Sequence, residues 1–205
     1  MQQATSPDIA PGPINGILLA AGRGSRFDPT GVRDKLLQPL PNGDPVAVAA
    51  ARSLLAALPR VLAVVRPDAH FLAAQLQEIG CDIAVCANAD EGMAASLVEG
   101  VSRTRNAAGW VIALADMPYV QPTTMRALVE ALQGGAQIAA PTYCGRRGNP
   151  VAFSRAHLAN LLSLRGDEGA RRWLKVFSVA AIATDDPGIV QDIDSPEDIL
   201  AGRAP

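Results

Sequence analysis

A glycine-rich stretch that carries two arginines follows the first strongly apolar segment of the chain. Gly22-Arg23-Gly24-Ser25-Arg26 succeeds the apolar residues 17–21, and Lys35 comes before the next apolar segment. Glycines let backbone N–H groups approach an anion closely, while guanidinium and ammonium groups neutralise its charge. The pattern therefore predicts a loop that binds the phosphates of a nucleoside triphosphate, although a polar surface turn with incidental arginines explains it about as well.

The glycine spacing fits neither of the two common phosphate-binding motifs. A Walker loop requires G-x-x-x-x-G-K-[ST], which does not follow Gly22 and Gly24. A dinucleotide-binding G-x-G-x-x-G motif begins at Gly22, but Phe27 stands where its third glycine belongs. If the loop binds phosphates, it is a phosphate-binding loop of a kind other than the Walker and dinucleotide-binding motifs.

Two aspartates are candidate metal ligands. Asp116 follows the apolar residues 110–114, and the carboxyl ends of parallel strands border the ligand crevice of an open α/β sheet. Residues 187–194 are expected to return to the sheet, with Asp192 and Asp194 on one face of a strand. We interpret Asp116 and Asp194 as a pair for Mg²⁺, which takes one or two carboxylates and completes its shell with water and phosphate oxygens. Capping of the following helix is the alternative for each aspartate.

Strand-like and helix-like segments alternate, which predicts an α/β fold with a mostly parallel central sheet. The predicted strands are residues 17–21, 60–65, 82–86, 110–114, 137–141, 151–153 and 178–183. The predicted helices are residues 46–58, 68–79, 94–105, 122–133, 157–164 and 168–176. A last helix is expected to start with Ser195 as N-cap, Pro196 at the first position and Asp198 at the third.

Composition indicates one globular domain. The chain has 205 residues, of which 49% are hydrophobic and 19% charged, with a net charge of -2. We expect a flexible tail over residues 1–13 and a single domain over 14–205.

The near-neutral balance of positive and negative charges argues against nucleic acid or a membrane surface as partner. Without a signal peptide or an apolar stretch of about 18 residues, the expected location is the cytoplasm. Both histidines, His70 and His157, are expected on helix surfaces rather than at a metal.

Taken together, the motifs resemble the nucleotidyltransferase family that includes molybdenum cofactor cytidylyltransferases and guanylyltransferases. The resemblance covers about residues 14–200 and rests on six motifs in order: Leu19-Ala20-Ala21-Gly22-x-Gly24-x-Arg26 with Lys35; Gly92-Met93-x-x-Ser96-Leu97; Leu114-Ala115-Asp116-Met117-Pro118; Gly148-x-Pro150-Val151-x-Phe153; Gly166-Asp167-x-Gly169-Ala170-Arg171; and Asp192-Ile193-Asp194-Ser195-Pro196-Glu197-Asp198.

This resemblance implies a Rossmann-like, three-layer nucleotidyltransferase fold and a Mg²⁺-dependent enzyme. The implied reaction transfers a nucleoside monophosphate from a triphosphate to a phosphorylated acceptor, such as the molybdenum cofactor, and releases pyrophosphate. The implied catalytic residues are Arg26, Lys35 and Asp116, and the implied metal ligands are Asp116 and Asp194. The implied nucleotide-binding residues are Leu19, Ala20, Ala21, Gly22, Arg23, Gly24, Gly92 and Ser96.

Leu19-Ala20-Ala21-Gly22 resembles the cytidylyl branch and favours CTP, and a molybdoenzyme or its maturation chaperone is a further expected partner. Two segments depart from the family's usual pattern. The stretch from Phe27 to Arg33 replaces the usual Met-Gly and lengthens the path to Lys35, and Asn149 stands in place of a histidine. The alternatives are another triphosphate or acceptor, a related glycosyltransferase that uses Asp192 and Asp194, and a non-catalytic nucleotide-binding protein.

Overall fold

Eight strands form one sheet in the computed structural model, which describes residues 12–166 and 169–201. The strands are β1 (Gly12–Ala20), β2 (Val61–Val65), β3 (Asp82–Val85), β4 (Ala107–Leu114), β5 (Ile138–Tyr143), β6 (Arg146–Arg147), β7 (Val151–Ser154) and β8 (Ala180–Ala183). Their spatial order is β3-β2-β1-β4-β7-β5-β6, with β8 beside β5. β6 and β7 run antiparallel to their neighbours, and the remaining pairs are parallel. The expectation of a mostly parallel α/β sheet is confirmed.

Helices cover both faces of this sheet. They are α1 (Val46–Leu55), α2 (His70–Glu78), α3 (Met93–Arg103), α4 (Pro122–Gln133), α5 (Leu158–Leu162), α6 (Trp173–Val176) and α7 (Pro196–Ala201). Buried residues of α1, α2 and α4 join one hydrophobic cluster, whereas those of α3 and α5 join another. The result is the three-layer architecture that the resemblance implies.

Alternation along β1 explains how one strand serves both clusters. Successive side chains of a strand point to opposite faces of the sheet. Leu18 and Ala20 therefore pack in the cluster with α1, and Ile17 packs in the cluster with α3. Since β1 is central and buried on both sides, it reads as a nearly continuous apolar run in the sequence.

The expected strand over residues 187–194 is wrong. Pro187–Val190 forms a 3-10 turn, because the Asp186 carboxylate accepts a hydrogen bond from Gly188 N at 2.9 Å and Pro187 follows it with a fixed φ. The chain then continues to α7 without joining the sheet. Asp192 and Asp194 thus do not share the face of a strand.

Several boundaries also differ from those expected. β1 begins at Gly12, inside the predicted tail, and the tail's remaining residues 1–11 lie outside the described residues. The predicted helix over 168–176 is a 3-10 turn at Ala170–Arg172 followed by α6, and its residue 168 also lies outside the described residues.

His157 is buried, against the expectation of a surface position, because it packs between the rings of Phe153 and Phe177. No helix among the described residues is long and apolar enough to span a membrane.

Candidate active site

A cavity of about 560 Å³ opens where the carboxyl ends of β1 and β4 meet the N-terminus of α3. Its walls come from the glycine loop after β1, the segment at Lys35, the connection between β3 and α3, and the end of β4. The lining residues are Leu19, Ala21, Gly22, Arg23, Gly24, Lys35, Leu36, Ala89, Asp90, Gly92, Met93, Ser96, Leu114 and Asp116. Segments that are distant in the sequence thus form one concave surface, at the sheet edge where ligands of open α/β sheets bind.

Lys35 lies at the base of this cavity between two carboxylates. Its Nζ donates to Asp116 Oδ2 at 2.8 Å and to Asp194 Oδ1 at 3.3 Å. The Lys35 side chain is only 10% exposed, so its charge is shielded from bulk water and acts strongly on neighbouring anions. The geometry therefore unites the predicted pair, Asp116 and Asp194, around one ammonium group.

The stretch from Phe27 to Lys35 is an ordered loop that places the Lys35 side chain at the cavity. Phe27 is 4% exposed and packs in the core, which anchors the start of the loop. Asp28 then accepts hydrogen bonds from the Thr30 hydroxyl and backbone and from Arg33 N. These hydrogen bonds, that of the Thr30 hydroxyl foremost, lower the pKa of Asp28 to about 2. Asp34 caps the following turn through Leu36 N, so Lys35 begins a 3-10 helix with its side chain directed inward.

Asp194 reaches the site through two backbone attachments. The N–H of Ile193 donates to the carbonyl oxygen of Asp116 at 2.9 Å, which joins the segment before α7 to the end of β4. Asp198 Oδ2 accepts from Asp194 N at 2.9 Å and from the backbone and hydroxyl of Ser195. Burial acts to raise the pKa of Asp198, but these hydrogen bonds and nearby Lys35 outweigh it, so the pKa is lowered. The predicted helix start at Ser195 is thus observed, with Asp198 reaching back to the cap.

Arg26 lies outside the cavity wall. Its Nη1 donates to Asp194 Oδ2 at 2.5 Å, while Lys35 contacts the other oxygen of the same carboxylate. The Arg26 side chain is 81% exposed. Its guanidinium therefore lies next to the acidic pair, with most of the side chain open to solvent.

Arg23 and Asp90 form a second charged pair across the mouth of the cavity. Arg23 Nε and Nη2 donate to the two Asp90 oxygens at 2.7 and 2.6 Å. The hydrogen bond and the attraction of opposite charges raise the pKa of Arg23, and the hydrogen bond from Arg23 lowers the pKa of Asp90. Both groups are consequently ionised at neutral pH.

The start of α3 supplies the wall opposite the glycine loop. Gly92 precedes the helix with φ of 114°, a conformation that favours glycine, and Ser96 is buried one turn into the helix. The nearby Cys86 thiol donates to Asn88 Oδ1 at 3.4 Å, and burial is the main cause that raises its pKa. The carbonyl of Gly166 accepts from Ala94 N at 3.0 Å and so holds the loop before α6 against this helix.

The structure brings together most of the residues that the sequence singles out. Lys35, Asp116 and seven of the eight predicted nucleotide-binding residues line the cavity. Ala20 is the exception among the eight, because strand alternation buries its side chain in the core on the other side of β1. Their roles in binding stay predictions. Residues that line the cavity without having been predicted as site residues are Leu36, Ala89, Asp90, Met93 and Leu114.

The donor set fits a hard divalent cation. Asp116 and Asp194 offer carboxylate oxygens, the ligand type that Mg²⁺ and Mn²⁺ share. No group of three or more His, Cys, Asp and Glu side chains suited to a metal occurs within residues 12–166 and 169–201. A cation bound here would hence take its remaining ligands from water and from phosphate oxygens, as Mg²⁺ usually does.

The fold and this site define a nucleotidyltransferase-like protein. Residues 16–184 match the model of the MobA-like NTP transferase domain, and the chain belongs to that family. It is 31% identical to the purine catabolism protein PucB of Bacillus subtilis, over 89% of this chain and 92% of that protein.

Solved structures agree with this family membership. The crystal structure of Rv0371c from Mycobacterium tuberculosis has a TM-score of 0.80 and 27% identity, covering 92% of this chain and 96% of that one. A complex of Rv0371c with manganese has a TM-score of 0.77 and 26% identity, covering 93% and 97%. A divalent metal is thus found in a structure similar to this one.

Proposed function

We propose that this protein transfers CMP from CTP to a phosphorylated small-molecule acceptor of the molybdopterin type and releases pyrophosphate. The observation that carries the proposal is the position of Lys35, whose ammonium contacts Asp116 and Asp194 in a cavity walled by the glycine loop. A buried cation beside two carboxylates suits a polyphosphate that binds together with a divalent metal. Family membership supports the reaction class.

The glycine loop, the two cations and the two carboxylates have different roles in binding the triphosphate. Backbone groups at Gly22 and Gly24 face the cavity without a side chain in the way, so phosphate oxygens can approach their N–H groups closely. Lys35 neutralises charge that develops on the leaving pyrophosphate, and Arg26 is near enough to Asp194 to add a second positive charge. Asp116 and Asp194 would hold Mg²⁺, which supplies charge neutralisation and orientation of the phosphates when bound.

The chemistry requires no general base. An oxygen of the acceptor phosphate attacks the α-phosphorus in line, a new P–O bond forms, and the bond between the α-phosphorus and its bridging oxygen to the β-phosphate breaks. A phosphomonoester has a second pKa of about 6, so the nucleophile is mostly ionised at pH 7. Positioning and electrostatic stabilisation therefore suffice, which agrees with a described cavity lining that contains no histidine or cysteine.

The choice of CTP rests on Leu19-Ala20-Ala21-Gly22, which resembles the cytidylyl branch of the family. The molybdenum cofactor is proposed as acceptor on the same resemblance. In this proposal the finished cofactor passes to a molybdoenzyme or its maturation chaperone.

A screen of four triphosphates tests the proposal. CTP, GTP, ATP and UTP are each incubated with Mg²⁺ and with a molybdopterin-type or sugar-phosphate acceptor, and pyrophosphate is measured. The expected result is release that needs Mg²⁺ and is fastest with CTP and the molybdopterin-type acceptor. Faster release with another triphosphate or with the sugar phosphate would reject that substrate assignment, and nucleotide binding with no pyrophosphate under any condition would reject the enzyme.

A further inference from the structure

The charges that line the cavity are balanced before any nucleotide binds. Among the described lining residues the cations are Arg23 and Lys35, and the carboxylates are Asp90 and Asp116. Each cation donates to one of these carboxylates, Lys35 at 2.8 Å and Arg23 at 2.7 and 2.6 Å. A triphosphate that enters the cavity consequently competes with protein carboxylates for both cations.

The Lys35–Asp116 and Arg23–Asp90 pairs differ in what can separate the cation from its carboxylate. Asp116 belongs to the acidic pair that fits a divalent metal, and a metal bound there would replace the ammonium as its counter-ion. Asp90 does not belong to that acidic pair, and both of its oxygens accept hydrogen bonds from Arg23. If Arg23 turns to a phosphate, water replaces it as the hydrogen-bond partner of Asp90. Water reaches Asp90 readily because the Asp90 side chain is 65% exposed.

The surroundings of the Arg23–Asp90 pair make partner exchange easy. Exposed ion pairs contribute little to stability because solvent screens their attraction, so the fold does not depend on this one. Gly24 next to Arg23 has φ of 63°, and Gly92 near Asp90 has φ of 114°, so both ends lie beside backbone that only glycine adopts readily. Nearby charges include Arg66, which donates to the carbonyl of Gly22 and pairs with Asp68 and Asp34.

We propose that Asp90 is a positioning residue that holds Arg23 at the cavity mouth and competes with the nucleotide's phosphates for it. Asp90 thereby sets the affinity for nucleoside triphosphate, lowering it below the value that Arg23 alone would give. The inference rests on the proposed function, since it assumes that the cavity binds a polyphosphate. It adds a residue that neither the motifs nor the comparisons assign.

Equilibrium binding without acceptor tests this role and avoids turnover. Calorimetry with Mg²⁺ compares CTP and inorganic tripolyphosphate as ligands of the wild type, Asp90→Asn, Arg23→Gln and Asp68→Asn. Asp90→Asn is expected to bind both ligands about two- to fivefold more tightly, because Arg23 is released and a repelling charge is removed. Arg23→Gln is expected to bind both more weakly. Asp68→Asn, which loses the same charge nearby but does not line the cavity, is expected to match the wild type.

The outcomes separate this inference from the proposed function. If the wild type binds CTP but Asp90→Asn binds it equally or more weakly, the competition role is wrong and the proposed function stands. A gain for CTP without a gain for tripolyphosphate also overturns the role, because Asp90 then acts on the nucleoside and not on the phosphates. If the wild type binds neither CTP nor tripolyphosphate, both proposals fail. Thermal unfolding of each variant verifies that the fold is intact.

Discussion

The N–H of Ile193 donates a hydrogen bond of 2.9 Å to the carbonyl oxygen of Asp116. These residues are far apart in the sequence, yet this contact joins the segment before α7 to the end of β4. It places the next residue, Asp194, beside Lys35, where its carboxylate is 3.3 Å from the ammonium. A site with two carboxylates thus arises from a backbone contact and not from a shared strand.

Loss of the Asp116 carboxylate is expected to abolish turnover. Asp116→Asn removes the group that contacts Lys35 at 2.8 Å and that would bind the metal, and we expect a loss of about 100-fold or more in kcat. The measurement is Mg²⁺-dependent pyrophosphate release. Asp192→Asn is the matched control, since Asp192 is exposed and has no side-chain hydrogen bond or ion pair in the described part of the chain. Equal losses in both variants would contradict a specific role of Asp116 in pyrophosphate release.

Lys35→Ala is expected to impair use of the triphosphate more than it impairs folding. The variant leaves two neighbouring carboxylates without their shared cation and removes a buried positive charge from the phosphate site. A fall of roughly 100-fold in kcat/KM for the triphosphate is expected. Steady-state kinetics at varied triphosphate concentration, with thermal unfolding alongside, measure the two effects. Unaltered kinetics would remove Lys35 from the mechanism.

Asp198 is expected to act on turnover through Asp194. Asp198→Ala deletes the acceptor of three hydrogen bonds from Asp194 and Ser195, and N-terminal caps of this kind contribute about 1 kcal/mol to stability. Displacement of Asp194 by about 1 Å can lower activity by about 100-fold. Binding of Mn²⁺, followed by electron paramagnetic resonance, is expected to weaken in parallel. Glu197→Ala is the control from the same helical turn, and an equal effect in that variant would contradict the positioning role.

The loop from Phe27 to Lys35 is expected to lose stability in acid. The pKa of Asp28 is about 2 in the folded protein and 3.8 ordinarily, so the unfolded chain binds more protons between these values. The Asp28 carboxylate therefore contributes fully to the free energy of unfolding above about pH 4, and this contribution is lost as the pH falls towards 2. Denaturant unfolding of the wild type and Asp28→Asn from pH 6 to pH 2.5 should show a difference in unfolding free energy that shrinks with acid. A constant difference would mean that the Asp28 charge is not responsible.

Local patterns predicted the parts of this molecule that depend on local chemistry. The apolar runs predicted β1, β2 and β4, and Pro122 marked the start of α4 because its fixed φ suits a first helical position. The position of Asp116 followed from the rule that carboxyl ends of parallel strands share one edge. The glycine loop was recognisable since its glycines and arginines come directly after a buried strand.

Contacts between distant segments escaped prediction. The prediction of Asp194 as a site residue rests on an expected strand and on the family resemblance, whereas the hydrogen bonds of Ile193 and Asp198 position it in the structure. Asp90 was missed because its pairing with Arg23 depends on how the β3–α3 connection folds, although its place after a strand at the ligand edge was a signal. The path to Lys35 depends on the hydrogen bonds of Asp28 and on the burial of Phe27, which no local pattern in this stretch indicates.

The fate of the α-phosphorus decides whether this protein transfers CMP from CTP to an acceptor. CTP labelled at the α- or the γ-phosphate is incubated with the wild-type protein, Mg²⁺ and a molybdopterin-type acceptor, and the products are separated and identified by mass. For a cytidylyltransferase we expect the α-label to pass with CMP to the acceptor and the γ-label to leave as pyrophosphate. Recovery of the γ-label on the acceptor, or release of the nucleotide as a diphosphate, would contradict it.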